Sequence, residues 1–259
     1  MNTAHIAELL EPFLRGATKD VCHSDGPQSG KEESAELSPT QLQGISIYID
    51  LLQHWNARIN LTAIRNEEEI VTRHFGESLF AARHLFPGRR KPEIAAERRQ
   101  NAAHGASRGV AASEAQAAEQ RKKITLADIG PGAGFPGIPI KLWAPEISLT
   151  LIESNHKKAT FLREAARALT LTDINIRNVR AEALAGETFD VVTLRAVDRF
   201  DSILPVAESV VAPTGRLGLL IGSAQYPSAQ TALTSFRWEL PVPVPGSQSR
   251  LLAIASCTR

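Results

Sequence analysis

The chain has 259 residues, 43% hydrophobic and 22% charged, and its formal net charge of +1 neither requires nor excludes a nucleic-acid partner. This composition predicts a soluble globular protein. The chain has no run of about 18 apolar residues, and residues 1–14 lack the pattern of a signal peptide. We therefore expect a cytoplasmic protein with no membrane partner. The two cysteines, Cys22 and Cys257, form neither a metal-ligand set nor a disulfide framework, so no metal is expected.

The first part of the chain predicts a short helix followed by a polar linker. Apolar residues within 3–14 have the spacing of an amphipathic helix. The stretch 15–36 is rich in Gly, Ser, Asp, Glu and Lys and has little apolar surface to bury. We therefore interpret residues 1–37 as a partly flexible N-terminal extension.

Two helix starts follow the extension. Ser38 precedes a proline, a pair typical of a helix N-terminus, and the helix is expected to reach about Trp55. Asn66 and the glutamate three residues later have capping-box spacing, and apolar residues then recur at helical spacing as far as Phe86. Residues 38–87 are therefore predicted to form a packed helical layer.

The next segment differs in composition from its neighbours. Residues 88–123 are dominated by Ala, Arg, Glu, Gln and Ser and contain few large apolar side chains. Such a segment cannot bury enough surface to offset the entropy lost on ordering. We predict a low-complexity insertion that is mostly disordered.

A buried strand, a glycine turn and a helix start follow the insertion. The apolar run that ends in Asp128 gives way to Gly130, Gly132 and Gly134, which let a ligand approach the main chain closely. A second apolar run ends in Glu153, at about the offset from the glycines where a Rossmann-type unit binds a ribose. These features predict a nucleoside site that involves both carboxylates.

The glycines alone fit either S-adenosylmethionine or a nicotinamide dinucleotide, because they also satisfy the pattern G-x-G-x-x-G. The carboxylate of Asp128 would repel a pyrophosphate and attract the cationic methionine end of S-adenosylmethionine. Three prolines in the loop also remove N–H donors that a phosphate would need. We therefore favour S-adenosylmethionine over the dinucleotide.

The rest of the chain alternates strands and helices, which predicts a mostly parallel α/β sheet covered on both faces. A helix should begin at Asn155, and another should end before Pro213. The predicted strands cover residues 174–179, 189–194, 216–221, 236–244 and 251–257. The last two are expected to form an antiparallel hairpin, so residues 124–259 form one Rossmann-like sheet domain.

Two blocks of this sequence resemble the methyltransferase family known as ribosomal RNA small-subunit methyltransferase G, or glucose-inhibited division protein B. The block in the helical layer contains Trp55-Asn56, the run from Asn60 to Arg65, Arg73-His74 and Glu77-Ser78-Leu79. The block in the sheet contains Asp128-Ile129-Gly130, Gly132, the run from Gly134 to Pro139, Glu153-Ser154, Lys157, Phe161-Leu162-Arg163, Phe189-Asp190 and Arg195-Ala196. The chain departs from the family pattern at Glu77, Leu194 and Ile221, where Asp, Ser and Lys are usual.

The resemblance implies a class I methyltransferase that transfers a methyl group from S-adenosylmethionine to N7 of a guanine in a decoding-region loop of 16S ribosomal RNA. The implied partner is this RNA or the small ribosomal subunit, and we expect a monomer. The residues that the resemblance places at the cofactor are Gly130, Phe135, Ala181, Glu182 and Arg195.

Guanine N7 carries a lone pair and no proton, so we expect no general base. Arg195 is the candidate for orienting the substrate, although it could instead pair with an acid such as Asp198. Arg65, Arg73 and His74 are candidates for RNA binding, and His74 could instead be a packing residue. A methyltransferase acting on a small molecule or protein, and a nicotinamide-dependent oxidoreductase, remain as alternatives.

Overall fold

The computed structural model describes residues 1–15, 36–87, 123–195 and 200–258. The predicted linker 15–36 and the predicted insertion 88–123 lie almost entirely outside the described residues, and both remain predictions. The described residues form a helical layer and an eight-stranded sheet with helices on both faces.

The helical layer consists of four elements with a π-helical segment between the last two. They are α1 (Thr3–Leu14), α2 (Pro39–Asn56), α3 (Glu67–Glu69), the π-helix π1 (Ile70–Gly76) and α4 (Glu77–Leu85). Ser38 and Gln41 form a reciprocal capping box at the start of α2, and the Asn66 side chain accepts a hydrogen bond from Glu69 N at the start of α3. Both predicted helix starts are confirmed.

The first helix packs into this layer rather than standing apart from it. Ile6, Leu10 and Phe13 are buried, and α1 contacts α2, π1 and α4. Burying three large apolar side chains stabilises the contact by several kcal/mol, at about 1.5–3 kcal/mol each. The layer therefore includes α1 as well as the segment from residue 38 onward.

The sheet contains five parallel strands and an antiparallel C-terminal part, as predicted. The strands are β1 (Thr125–Ile129), β2 (Ser148–Ile152), β3 (Ile174–Arg177), β4 (Phe189–Arg195), β5 (Val211–Gly222), β6 (Phe236–Trp238), β7 (Val242–Pro243) and β8 (Arg250–Cys257). Their order is β3-β2-β1-β4-β5-β8-β6, with β7 also paired to β8. β1 lies between β2 and β4 and is parallel to both, so the carboxyl ends of these three strands adjoin one another at one edge of the sheet.

The helices that cover the sheet are α5 (Gly137–Trp143), α6 (His156–Ala168), α7 (Phe200–Ser209) and α8 (Tyr226–Ala232). The helical layer, α5 and α6 bury one face of the sheet, and α7 and α8 bury the other. Among the described residues, none of the helices has both the length and the apolar character that crossing a bilayer requires.

Three local features differ from the sequence-based expectations. Pro213 was expected to lie between a helix and a strand, but it lies inside β5, which begins at Val211. Val211 pairs with Phe189, and the register of the two strands shifts after this pair. The strand predicted over 236–244 is broken into β6 and β7, which both pair with β8. The helix α8 was not predicted from the sequence.

Candidate active site

The glycine turn connects β1 to α5 and is built from backbone groups. Gly132 and Gly134 have φ angles of +58° and +84°, which side chains rarely tolerate. The carbonyl of Pro131 accepts hydrogen bonds from Gly134 N at 2.8 Å and Phe135 N at 3.0 Å. A Cβ placed on Gly132 would meet no atom within 4 Å, so there is open space beside the turn at this residue.

Asp128 lies behind the turn and supports its backbone. The side chain is fully buried; Gly137 N donates to one carboxyl oxygen at 2.7 Å, and the Thr193 hydroxyl donates to the other at 3.0 Å. Burial raises the pKa of Asp128 to about 7, and the hydrogen bond from Gly137 N opposes the rise. The structure therefore gives Asp128 a supporting position behind the turn. Its contact with a cofactor stays a prediction.

Glu153 follows β2 and reaches the turn, as its spacing predicts. One carboxylate oxygen accepts from Gly132 N at 3.1 Å, and the other accepts from Asn155 N at 2.8 Å. The side-chain amide of Asn178 donates to the Glu153 carbonyl at 2.8 Å, which fixes the main chain at the end of the strand. Glu153 is therefore the carboxylate that borders the open space beside Gly132.

Arg195 is the last residue of β4 and forms a buried ion pair with the helical layer. Its Nη2 lies 3.0 Å from Glu77 Oε2 and donates to the Arg73 carbonyl at 2.5 Å. Burial lowers the pKa of Arg195 to about 10 and Glu77 opposes the decrease, so the guanidinium is charged at pH 7. The partner expected from the sequence, Asp198, lies outside the described residues.

Arg250, the first residue of β8, shares the same carboxylate. Its Nη2 lies 3.0 Å from Glu77 Oε2. Among the described residues, the buried Nε atoms of Arg195 and Arg250 have no hydrogen-bond partner. One carboxylate therefore holds two guanidiniums at this edge of the sheet.

Phe135 lies between the turn and the helical layer. The ring of His74 stacks on it, with centroids 4.7 Å apart and planes 19° apart, and Arg195 Cζ lies 5.8 Å from the Phe135 centroid. His74 Nε2 lies 2.7 Å from the Thr62 hydroxyl oxygen. Burial, with Arg195 next in effect, lowers the pKa of His74 to about 3. His74 is therefore neutral at pH 7 and supplies no positive charge to an RNA phosphate.

The remaining predicted site residues lie in the helical layer and after β3. Arg65 and Arg73 are exposed in the helical layer, and Arg65 Nη1 donates to the Asn56 carbonyl at 2.9 Å. Ala181 is buried and Glu182 exposed in a 3-10 helix, Ala181–Leu184, that follows β3. The structure thus places predicted residues from four strand ends along one edge of the sheet.

Two residues of this site were not found from the sequence. Thr193 lies in an apolar strand whose pattern gives no sign of a polar contact, and it reaches Asp128 only because β1 and β4 are paired. Arg250 is 173 positions away from Glu77, and no local spacing links the two. In the parts of the chain that the structure describes, His, Cys, Asp and Glu residues form no group of three that could bind a metal ion.

The family model and the curated relatives that match this chain name one family. The model of the family described as rRNA small subunit methyltransferase G matches residues 41–94 and 110–239. A ribosomal RNA small subunit methyltransferase G from Xylella fastidiosa is 33% identical over 204 residues, 78% of each chain, and one from Halorhodospira halophila is 35% identical over 187 residues, 72% of each chain. Among solved structures, a ribosomal protein L11 methylase from Lactobacillus delbrueckii is 21% identical with a TM-score of 0.46, covering 54% of this chain and 74% of that one.

Proposed function

Since this chain belongs to the rRNA small subunit methyltransferase G family, we propose that it transfers a methyl group from S-adenosylmethionine to N7 of one guanine in 16S ribosomal RNA. The observation that supports this proposal best is the hydrogen bond from Gly132 N in the glycine turn to the carboxylate of Glu153, at the carboxyl ends of β1 and β2. A parallel sheet of this order binds ligands at that edge. Ribosomal RNA as the substrate implies that the protein acts in the cytoplasm.

The residues at this edge fit the cofactor. The open space at Gly132 admits a ligand against the main chain, where a side chain would fill it. The carboxylate of Glu153 borders that space and suits the two hydroxyls of a ribose. The guanidiniums of Arg195 and Arg250 lie at the same edge, and both pair with Glu77. Gly130, Phe135, Ala181 and Glu182 complete the proposed cofactor site.

The proposed reaction needs alignment rather than proton transfer. When bound, S-adenosylmethionine supplies a methyl group on a sulfonium, which a lone pair attacks in line. The N7 lone pair forms the new C–N bond while the S–CH3 bond breaks, and the sulfur keeps that electron pair. Because guanine N7 has no proton to lose, the site residues hold the two reactants in geometry, and no side chain acts as a base.

The residues that face the RNA in this proposal come from both parts of the protein. Arg65 and Arg73 are exposed on the helical layer and can contact phosphates. Arg195 is charged and packs beside the Phe135 ring, so it is the candidate for orienting the base. His74 is neutral, so we assign it to stacking and hydrogen bonding at the site instead of phosphate binding.

The direct test is to map the methylated base. The full chain is incubated with methyl-labelled S-adenosylmethionine and with small ribosomal subunits, or naked 16S RNA, from cells that lack the enzyme. N7-methylguanine is then located by strand cleavage after borohydride reduction. We expect one labelled guanine, and subunits from cells that have the enzyme should accept almost no label.

Other outcomes would separate the competing functions. Label on a different base, or on protein, would refute guanine N7 as the acceptor. Methylation of small molecules in the absence of RNA would favour the alternative methyltransferase. The family assignment does not support the nicotinamide-dependent oxidoreductase, and the test for it is whether NAD binds to the purified protein.

A further inference from the structure

Tyr48 connects the helical layer to the glycine turn. It lies in α2, is fully buried, and donates its hydroxyl hydrogen to the carbonyl of Ala133, which is 85 positions away in the sequence. Burial, with the nearby carboxyl of Asp128 second in effect, raises the pKa of Tyr48 well above its ordinary value. The hydroxyl therefore keeps the proton that it donates.

The ring of Tyr48 is fixed on several sides. It stacks on Phe135 with centroids 5.6 Å apart and on Phe161 at 6.0 Å, and it meets Phe75 edge to face at 5.4 Å. Contacts from the turn, from α6 and from π1 therefore set its position. A hydroxyl held in this way has little freedom to leave the Ala133 carbonyl.

The turn is shaped to fit this hydroxyl. A Cβ on Gly134 would clash with the Tyr48 hydroxyl oxygen. Ala133 is itself 4% exposed, and among the described residues no other donor reaches its carbonyl. Without the Tyr48 hydroxyl, this carbonyl would be a buried acceptor without a partner, and the turn would have to rearrange to satisfy it.

We propose that Tyr48 is a positioning residue for the cofactor, and that its hydroxyl holds the Ala133 carbonyl so that the glycine turn keeps the shape that accepts S-adenosylmethionine. This inference rests on the proposed function, because it takes the turn to be the cofactor site. It adds that the helical layer forms part of the cofactor site as well as facing the RNA. Tyr48 acts through the main chain of the turn and does not itself touch the reactants.

The test removes one hydroxyl and keeps the ring. Tyr48→Phe is compared with Tyr226→Phe, because Tyr226 is the other tyrosine of the chain and its hydroxyl bonds to Gln230 and to the Glu239 carbonyl, far from the turn in sequence. S-adenosylmethionine affinity is measured by calorimetry well below the melting temperature of each variant. We expect Tyr48→Phe to weaken binding about tenfold and Tyr226→Phe to leave it unchanged.

Kinetics distinguish positioning from a loss of folded protein. In Tyr48→Phe the KM for S-adenosylmethionine should rise about tenfold while the KM for the small subunit stays constant. Fewer folded molecules would instead lower kcat and leave both KM values unchanged. Amide hydrogen exchange over residues 130–138 should be faster in Tyr48→Phe than in Tyr226→Phe, whereas exchange in β8 should be the same in both. Faster exchange in both regions would instead indicate a global loss of stability.

The results separate this inference from the proposed function. If wild-type protein binds S-adenosylmethionine and Tyr48→Phe binds it equally well with unchanged exchange, the positioning role is refuted and the proposed function stands. If wild-type protein fails to bind S-adenosylmethionine, the proposed function fails and this inference fails with it. Weaker binding by Tyr226→Phe to the same extent would also refute a specific role for Tyr48.

Discussion

Replacing Asp128 with Asn should change how the stability of the protein depends on pH. The folded-state pKa of Asp128 is about 7, against an ordinary value of 3.8, because burial disfavours the charged form. Well below pH 3.8 the carboxyl is protonated in both states and carries no penalty. As pH rises to about 7 the unfolded chain ionises first, so the folded state loses stability, and above pH 7 the loss is constant.

The size of this effect follows from the two pKa values. Each tenfold difference in proton affinity is worth about 1.4 kcal/mol, so the ionisable carboxyl costs about 4 kcal/mol of folding free energy at pH 8 relative to pH 4. Asn cannot ionise. Its carbonyl can accept from Gly137 N, and its amide can donate to the Thr193 oxygen, so both contacts of Asp128 have a replacement.

The assay is urea unfolding of wild type and Asp128→Asn between pH 4 and pH 8. The variant should gain up to about 4 kcal/mol on the wild type across this range, with unchanged m values. Asp50→Asn, at an exposed position of α2, is the control and should follow the wild type at every pH. A difference between Asp128→Asn and wild type that does not vary with pH would refute the raised pKa.

Three further variants test the site. Gly132→Ala should weaken S-adenosylmethionine binding at least tenfold. Gly186 also has a positive φ, +87° against +58°, and open surroundings, so Gly186→Ala should likewise lose stability but leave calorimetric affinity intact. Glu153→Gln should weaken binding by about ten- to a hundredfold because it loses a charged acceptor, and equal affinity would remove Glu153 from the site. Gln has one acceptor oxygen where Glu153 uses two, so the variant should also lose about 1–3 kcal/mol of stability, and affinity is measured well below its melting temperature. Glu77→Ala should destabilise by about 3–5 kcal/mol in urea unfolding, since it leaves buried guanidiniums without a carboxylate, and Glu77→Asp should recover most of that loss.

Features with a local signal in the sequence were predicted well. The starts of α2 and α3 follow from capping residues that act within three positions, and the turn follows from closely spaced glycines. The meeting of Glu153 with Gly132 was also predictable, because adjacent parallel strands bring their carboxyl ends together. Each of these predictions depends on neighbours in sequence or on a general rule of sheet geometry.

Features that depend on distant partners were not predicted. Pro213 signals a break, but its strand continues because Val211 finds a partner in Phe189 across a register shift. The partners of Arg250 and Tyr48 are fixed by the packing of the helical layer on the sheet, which no spacing in the sequence encodes. Asp128 was identified, but its burial was not, because burial depends on α5 and β4 closing over it.

The position of β8 affects how the sheet forms while the chain is being synthesised. This strand follows all the others in the sequence, yet it lies between β5 and β6, and its first residue is Arg250. While the nascent chain still lacks residues 250–257, β5 has an unpaired edge open to aggregation or to a chaperone. Until residue 250 is made, Glu77 can pair with Arg195 but not with Arg250.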